Sequence, residues 1–318
     1  MRAVHHRPAD SSLTPRFTGV RTFMRLPHLE TTEDVDVAII GIPIDDAVSF
    51  KSGARFGPEA IRSASALLRP YNPALKVDVA ERLSIVDYGD APTVPGYHEQ
   101  TLERIEEYLL PVHRAGVTPL CLGGDHSMVL AELRAAASVH GPLALVHLDA
   151  HADIWESYYG ARYFHGTVFR RAAEEGVVDP RASVQAGMRG TLYGDSDIEA
   201  PRELGYDAIY WDELEGMTPR QYGDRVRARV GERPAFLSFD IDFVDPAFAP
   251  ATGTPEVGGP SSGQALAYLR ALTGIDFRGF DCVEVAPVYD QPANITAWVA
   301  ASACFEMLSL KALRAAPR

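Results

Sequence analysis

Cysteine is scarce in this 318-residue chain: Cys121, Cys282 and Cys304 are the only three, an odd number with no Cys-x-x-Cys pair. Neither a disulfide framework nor a cysteine-built zinc site is therefore expected. Positive charge is short as well. Lys and Arg total 30 against 43 Asp and Glu, a formal net charge of −13. That balance argues against a nucleic-acid partner and is compatible with a cationic substrate. Long apolar runs are missing too: the most apolar late stretch, Ile295 to Phe305, stops at Glu306, short of the ~20 residues that cross a bilayer. Between Met1 and Glu30, Arg2, Arg7, Arg16, Arg21 and Arg25 are scattered with no apolar run behind them, so no signal peptide and no membrane partner are expected. No repeat period or low-complexity segment stands out. What is present, 46% hydrophobic and 23% charged residues, is a globular balance with enough length for a sizeable core. A soluble cytoplasmic protein is the expectation.

Residues 1–34 read as an irregular N-terminal arm, and residues 35–318 as one domain without an internal linker. Within it, short apolar runs alternate with helical patterns. The runs are Val37–Pro43, Leu83–Asp87, Thr118–Leu122, Leu143–Leu148, Ser183–Ala186, Ala208–Tyr210, Ala235–Phe239 and Cys282–Val285. Little polar alternation within them suits strands covered on both faces. Helices are expected at Pro58–Leu68, Glu99–Tyr108, Met128–Ala137, Pro219–Val230, Ser262–Leu272 and Ile295–Leu313. Alternating β and α segments imply an α/β fold with a parallel sheet, and a site in the loops at the strands' carboxyl ends.

The chemically loaded residues fall at such ends. Asp149-Ala150-His151-Ala152-Asp153 follows the run Leu143–Leu148, Asp240-Ile241-Asp242 follows Ala235–Phe239, and Gly123-Gly124-Asp125-His126 closes Thr118–Leu122. In an extended chain Asp149, His151 and Asp153 would face one side, and so would Asp240 and Asp242. His147 shares that parity but lies in the apolar strand, and is read as a buried structural histidine. A lone Asp-x-Asp is usually a cap or loop anchor; three such elements, each after its own strand, are not. If they converge, four carboxylates and two imidazoles share one site, and their repulsion calls for cations. Two divalent ions supply +4 against −4. Oxygen-rich ligation with one imidazole per metal favours manganese, with zinc, iron, cobalt and nickel left open.

Gly123-Gly124-Asp125-His126-Ser127, Asp149-Ala150-His151-Ala152-Asp153 and Ser238-Phe239-Asp240-Ile241-Asp242 resemble the three signature motifs of the ureohydrolases, the arginase and agmatinase family. Phe23-Met24-Arg25-Leu26-Pro27, the block Gly53 to Arg62, Thr252-Gly253-Thr254-Pro255 and Val283-Glu284-Val285-Ala286-Pro287 extend the likeness over nearly the whole chain, closest to agmatinases and guanidino-acid hydrolases. The resemblance implies a three-layer α/β/α fold around a mostly parallel eight-stranded sheet, and two manganese ions per chain. One would be held by His126, Asp149, Asp153 and Asp240, the other by His151, Asp149, Asp240 and Asp242, with Asp149 and Asp240 bridging. It also implies a homo-oligomer, a trimer or hexamer.

The same resemblance implies hydrolysis of a small guanidino substrate to urea and an amine, foremost agmatine to putrescine. A guanidinium is a poor electrophile, so the attack needs a hydroxide, formed where metal ions bring the pKa of water toward ~7. Asp242 is placed to take that hydroxide's remaining proton. His165 matches the family's proton-shuttling histidine, and Glu284 the carboxylate that holds the guanidinium. Arg55 and Arg62, within the family block, are read as fixing loops. The loop Ile154–Arg162 is expected to roof the pocket, with Trp155, Tyr158 and Tyr159 either along the substrate chain or at a subunit contact, and Glu156 facing a distal ammonium; Arg162 would instead face a distal carboxylate. The alternatives are a hydrolase of 4-guanidinobutyrate, another guanidino acid or guanidine, and, outside the class, a catalytically silent binding relative.

Overall fold

The computed structural model describes residues 4–290 and 292–315. Eight strands form one sheet: β1 (Val37–Ile42), β2 (Ile85–Asp90), β3 (Thr118–Gly123), β4 (Ala144–Leu148), β5 (Val184–Ala186), β6 (Asp207–Ile209), β7 (Ala235–Asp240) and β8 (Phe277–Val283). Their spatial order is β2-β1-β3-β8-β7-β4-β5-β6, and every pairing is parallel. Alternate β1 residues feed two apolar layers. Val37 and Ile39 pack with the helices Gly57–Ser65, Pro219–Val230, Ser262–Arg270 and Ile295–Arg314. Ala38, Ile40 and Ile42 pack with His98–Arg114, Val129–His140 and Val168–Glu174. The result is a three-layer α/β/α architecture, as the arginase-like reading implied.

Local chemistry sets the helix ends. Thr218 and Gln221 form a reciprocal capping box ahead of Pro219, and Gly231 at φ 61° closes that helix. Ser261 and Gln264 do the same for Ser262–Arg270. Ahead of β1, Phe23, Met24 and Leu26 are buried within the first apolar layer.

Two expectations need correction. The last strand runs Phe277–Val283 rather than Cys282–Val285: Arg278, Gly279 and Asp281 disguise its apolar character, and Glu284 lies just outside it at φ 63°. The apolar stretch from Ile295 also does not stop at Glu306. The helix, expected over Ile295–Leu313, runs to Arg314 and is long and apolar enough to cross a membrane by length and composition, but 78% of that window is buried in the fold. Glu306 is accommodated because Asn72 and Arg270 both donate to its carboxylate.

Candidate active site

The four adjacent strands β3, β8, β7 and β4 deliver their carboxyl ends to one place. His126 opens the turn after β3, Glu284 follows β8, Asp240 ends β7, and Asp149 follows β4. Gly124 permits the closeness: a Cβ there would sit 2.3 Å from the Ile44 carbonyl oxygen and 2.6 Å from that of Ile42.

His126 and Asp149 are fully buried. The Nδ1 atom of His126 faces three carboxylate oxygens, from Asp149 at 3.2 Å, Asp153 at 3.0 Å and Asp240 at 3.2 Å. Partly exposed His151 turns its Nδ1 to Asp149 at 3.4 Å and Asp242 at 3.0 Å. The six residues thus form two lobes sharing Asp149. Asp153 lies in the left-handed region at φ 50°, so the segment from Asp149 is not extended throughout.

This cluster calls for positive charge. Burial and the Asp242 and Asp149 charges push Asp240 well above the ordinary carboxylate range. Burial and Asp149 bring Asp242 up to about 6. Burial also opposes ionisation of Asp149, but His147, His126 and His151 outweigh it and hold that group well below its usual value. His126 Nε2 lies 2.9 Å from Ser238 Oγ, which donates to Asp281 Oδ1 at 2.9 Å. With Nε2–H engaged there, the neutral ring carries its lone pair on Nδ1, facing the three carboxylates, while Asp242 Oδ2 faces His151 Nδ1 at 3.0 Å. A lone pair amid carboxylate oxygens fits a cation at their centre. The groups His126–His147–Asp149 and Asp149–His151–Asp242 both have spacing able to hold a metal ion.

His147, whose Nε2 lies 2.8 Å from Asp149 Oδ2, accepts at Nδ1 from Gln185 Nε2 at 3.0 Å. It is buried, as expected, and its orientation makes it a donor fixing Asp149 rather than a ligand. Gln185 and Asp281 carried no signal in the sequence, because each meets the site only across neighbouring strands, and Ser238 showed only as the first residue of its motif.

Glu284 and His165 are joined to each other beside the cluster, and neither lines the cavity that opens at His151 and Asp153. Glu284 Oε1 accepts from the His126 backbone N–H at 2.9 Å and from His165 Nδ1 at 3.1 Å. Its Oε2 is buried without a partner among the described residues. A Cβ at Gly253 would lie 3.5 Å from that oxygen, so the glycine leaves its approach open. Burial works against a charged His165, but Glu284 outweighs it and lifts the imidazole to about 9.

A cavity of about 870 Å³ opens beside the cluster, with His151 and Asp153 in its wall. Trp155, Glu156 and Tyr158 line it, joined by Tyr193, Asp197, Glu203 and Glu256. Trp155 meets Tyr193 edge-on at 5.5 Å, and Tyr158 stacks on Phe164 at 5.4 Å. Tyr159 is not part of that lining: it is 81% exposed and its hydroxyl donates to the Ser49 carbonyl at 3.4 Å. Arg162 also points elsewhere, paired with Glu174 at 2.6 Å. Two cationic residues line the cavity, Arg170 and Arg189, and Arg189 is spent on the carbonyls of Gly187, Asp242, Phe243 and Glu256. Arg55 and Arg62 hold loops: Arg55 pairs with Asp45 and Asp46, and Arg62 with Asp87 and Asp90.

The Arginase family model matches residues 35–309. The chain is 42% identical to the guanidinopropionase of Pseudomonas aeruginosa, over 98% of each protein. It is likewise 42% identical to an agmatinase of Neisseria meningitidis, over 95% of each. The structure of proclavaminate amidinohydrolase from Streptomyces clavuligerus superposes with a TM-score of 0.90 at 41% identity, covering 94% of this chain and 99% of that one. A parallel sheet in this order, a buried cluster of two imidazoles and four carboxylates, and likeness across almost the full length together establish that the chain is a hydrolase of the arginase family.

Proposed function

We propose that this protein hydrolyses the guanidinium group of a small linear substrate to urea and an amine with two manganese ions, agmatine being the leading substrate. The observation that carries the reading is the His126 Nδ1 lone pair facing three carboxylate oxygens, with His151 and Asp242 completing a second lobe through Asp149. His126, Asp149, Asp153 and Asp240 would hold one ion, and His151, Asp149, Asp240 and Asp242 the other. When bound, the ions supply charge neutralisation and a nucleophile generated from water at neutral pH.

The chain's own residues perform the remaining work. The unpartnered Oε2 of Glu284 accepts guanidinium N–H groups and fixes their plane in a charge-assisted contact. Asp242, whose Oδ2 lies 3.0 Å from His151 Nδ1, receives a proton from the attacking water. His165, buried against Glu284, supplies the proton that the departing amine needs.

The cavity favours a substrate with a cationic tail. Glu156, Asp197, Glu203, Asp212 and Glu256 line it against Arg170 and the already committed Arg189. A second reading, a guanidino acid such as 4-guanidinobutyrate, draws support from Arg170 and from the guanidinopropionase relative. Steady-state urea release separates the two. Under the leading reading kcat/KM is highest for agmatine among agmatine, 4-guanidinobutyrate, L-arginine and guanidine. A preference for 4-guanidinobutyrate transfers the assignment to the second reading.

A further inference from the structure

One ring nitrogen of His165 is met by two atoms of a single residue. The Ser49 backbone N–H donates to Nε2 at 3.1 Å, and Ser49 Oγ lies 2.8 Å from the same nitrogen. A neutral imidazole with its proton on Nδ1, toward Glu284, needs a donor at Nε2, and the backbone N–H is one. An imidazolium needs an acceptor at Nε2, and the hydroxyl oxygen is one. Ser49 therefore offers His165 a partner in both protonation states. It is also the outer neighbour: Ser49 is partly exposed, whereas His165 is 8% exposed.

The loop holding Ser49 is fixed on both sides. Asp125 accepts from the Ala47 N–H at 3.1 Å, and the Ala47 carbonyl accepts from the His165 N–H at 3.1 Å. Asp45 accepts from the Gly53 N–H at 2.6 Å and pairs with Arg55. Tyr159 donates to the Ser49 carbonyl. Around the imidazole itself lie Glu284, Tyr158 and Phe164, with Asp153 and Asp125 acting at longer range. Among these groups Ser49 alone addresses Nε2.

We propose that Ser49 is a proton-relay residue acting through His165. The step rests on the guanidinium-hydrolase reading above. His165 Nε2–H gives its proton to Ser49 Oγ as the Ser49 O–H bond breaks and that proton passes to the departing amine nitrogen. The hydroxyl is regenerated, the amine leaves protonated, and neutral His165 is caught by the Ser49 N–H. No oxidant or further reactant is required.

The test is Ser49→Ala in the manganese-loaded protein, because alanine keeps the backbone N–H and removes only Oγ. Its kcat should fall by about 10²-fold or more, the usual scale of a proton-transfer contribution, with KM changed little and metal content unchanged. Ser49→Thr, which restores a hydroxyl, should recover most of the rate. A proton inventory in mixed H₂O and D₂O should show two transferring protons in the wild type and one in Ser49→Ala. An unchanged kcat in Ser49→Ala, or a wild-type inventory with one proton, overturns the relay while leaving the hydrolase reading intact. A wild-type protein that releases no urea from any guanidino substrate overturns that reading itself, and the relay with it.

Discussion

Replacing Ser238 with alanine tests how the cluster is held. The change removes the Oγ that lies 2.9 Å from His126 Nε2 and donates to Asp281 Oδ1. It leaves the imidazole N–H buried without a partner, since both His126 and Ser238 are 0% exposed. A stranded buried donor costs about 1–3 kcal/mol, which at about 1.4 kcal/mol per tenfold is roughly 5- to 150-fold in an equilibrium. Loss of the outer partner of a metal-binding histidine weakens metal affinity by about 10–100-fold, the same range. The assay is a calorimetric Mn²⁺ titration of metal-stripped protein, with bound metal counted by mass spectrometry and the fold checked by circular dichroism. The binding step that uses His126 should weaken by that factor while the step that uses His151 moves far less. An isotherm identical to the wild type, or equal weakening of both steps, would refute the reasoning.

Other perturbations separate the parts of the site. Asp149→Ala removes the carboxylate shared by both lobes, so tight binding of both ions should be lost; a purified variant still carrying two per chain contradicts that role. In the metal-free protein, Asp242 lies near 6 and Asp281 near 7 against an ordinary 3.8. Groups raised in this way stabilise the fold fully below their ordinary value, and that contribution drains away as pH climbs through about 6 to 7. Bound cations reverse the loss, so the increase in Tm on adding Mn²⁺ should be larger at pH 8 than at pH 5; equal increments at both would count against it. Arg62→Ala removes the ionic partner of Asp87, which is 1% exposed, paired to Arg62 at 2.9 Å and left with the backbone N–H groups of Phe23 and Gly89, and should cost about 3–5 kcal/mol in denaturant unfolding; a loss below about 1 kcal/mol would show the pair to be structurally idle.

Much of this was legible because function and fold use different signals. Buried strands announce themselves as apolar runs, and acidic residues at their ends stand out against them, so the elements carrying His126, Asp149 and Asp240 could be placed from the chain alone. The last strand was blurred by Asp281, an apolar position by geometry but a carboxylate by chemistry, because it supports Ser238. The helices Val168–Glu174 and Asp195–Leu204 escaped notice: the first is short, and the second begins with three acidic or polar residues and carries an internal proline. Gln185, Ser49 and Ser238 act through contacts 38, 116 and 112 residues away, and no local pattern encodes such a distance. Tyr159 and Arg162 show the converse. Proximity in sequence to Asp153 suggested the pocket, yet a left-handed turn at Tyr159 and Gly160 carries both outward.

Metal content and urea release measured on the same sample test the central claim most directly. Protein stripped of metal and titrated with Mn²⁺ should gain urea-releasing activity toward a guanidino substrate as ions bind, reaching its maximum at two per chain. Full activity in the stripped protein, saturation at one ion, or two bound ions with no urea from agmatine, 4-guanidinobutyrate, L-arginine or guanidine would contradict it.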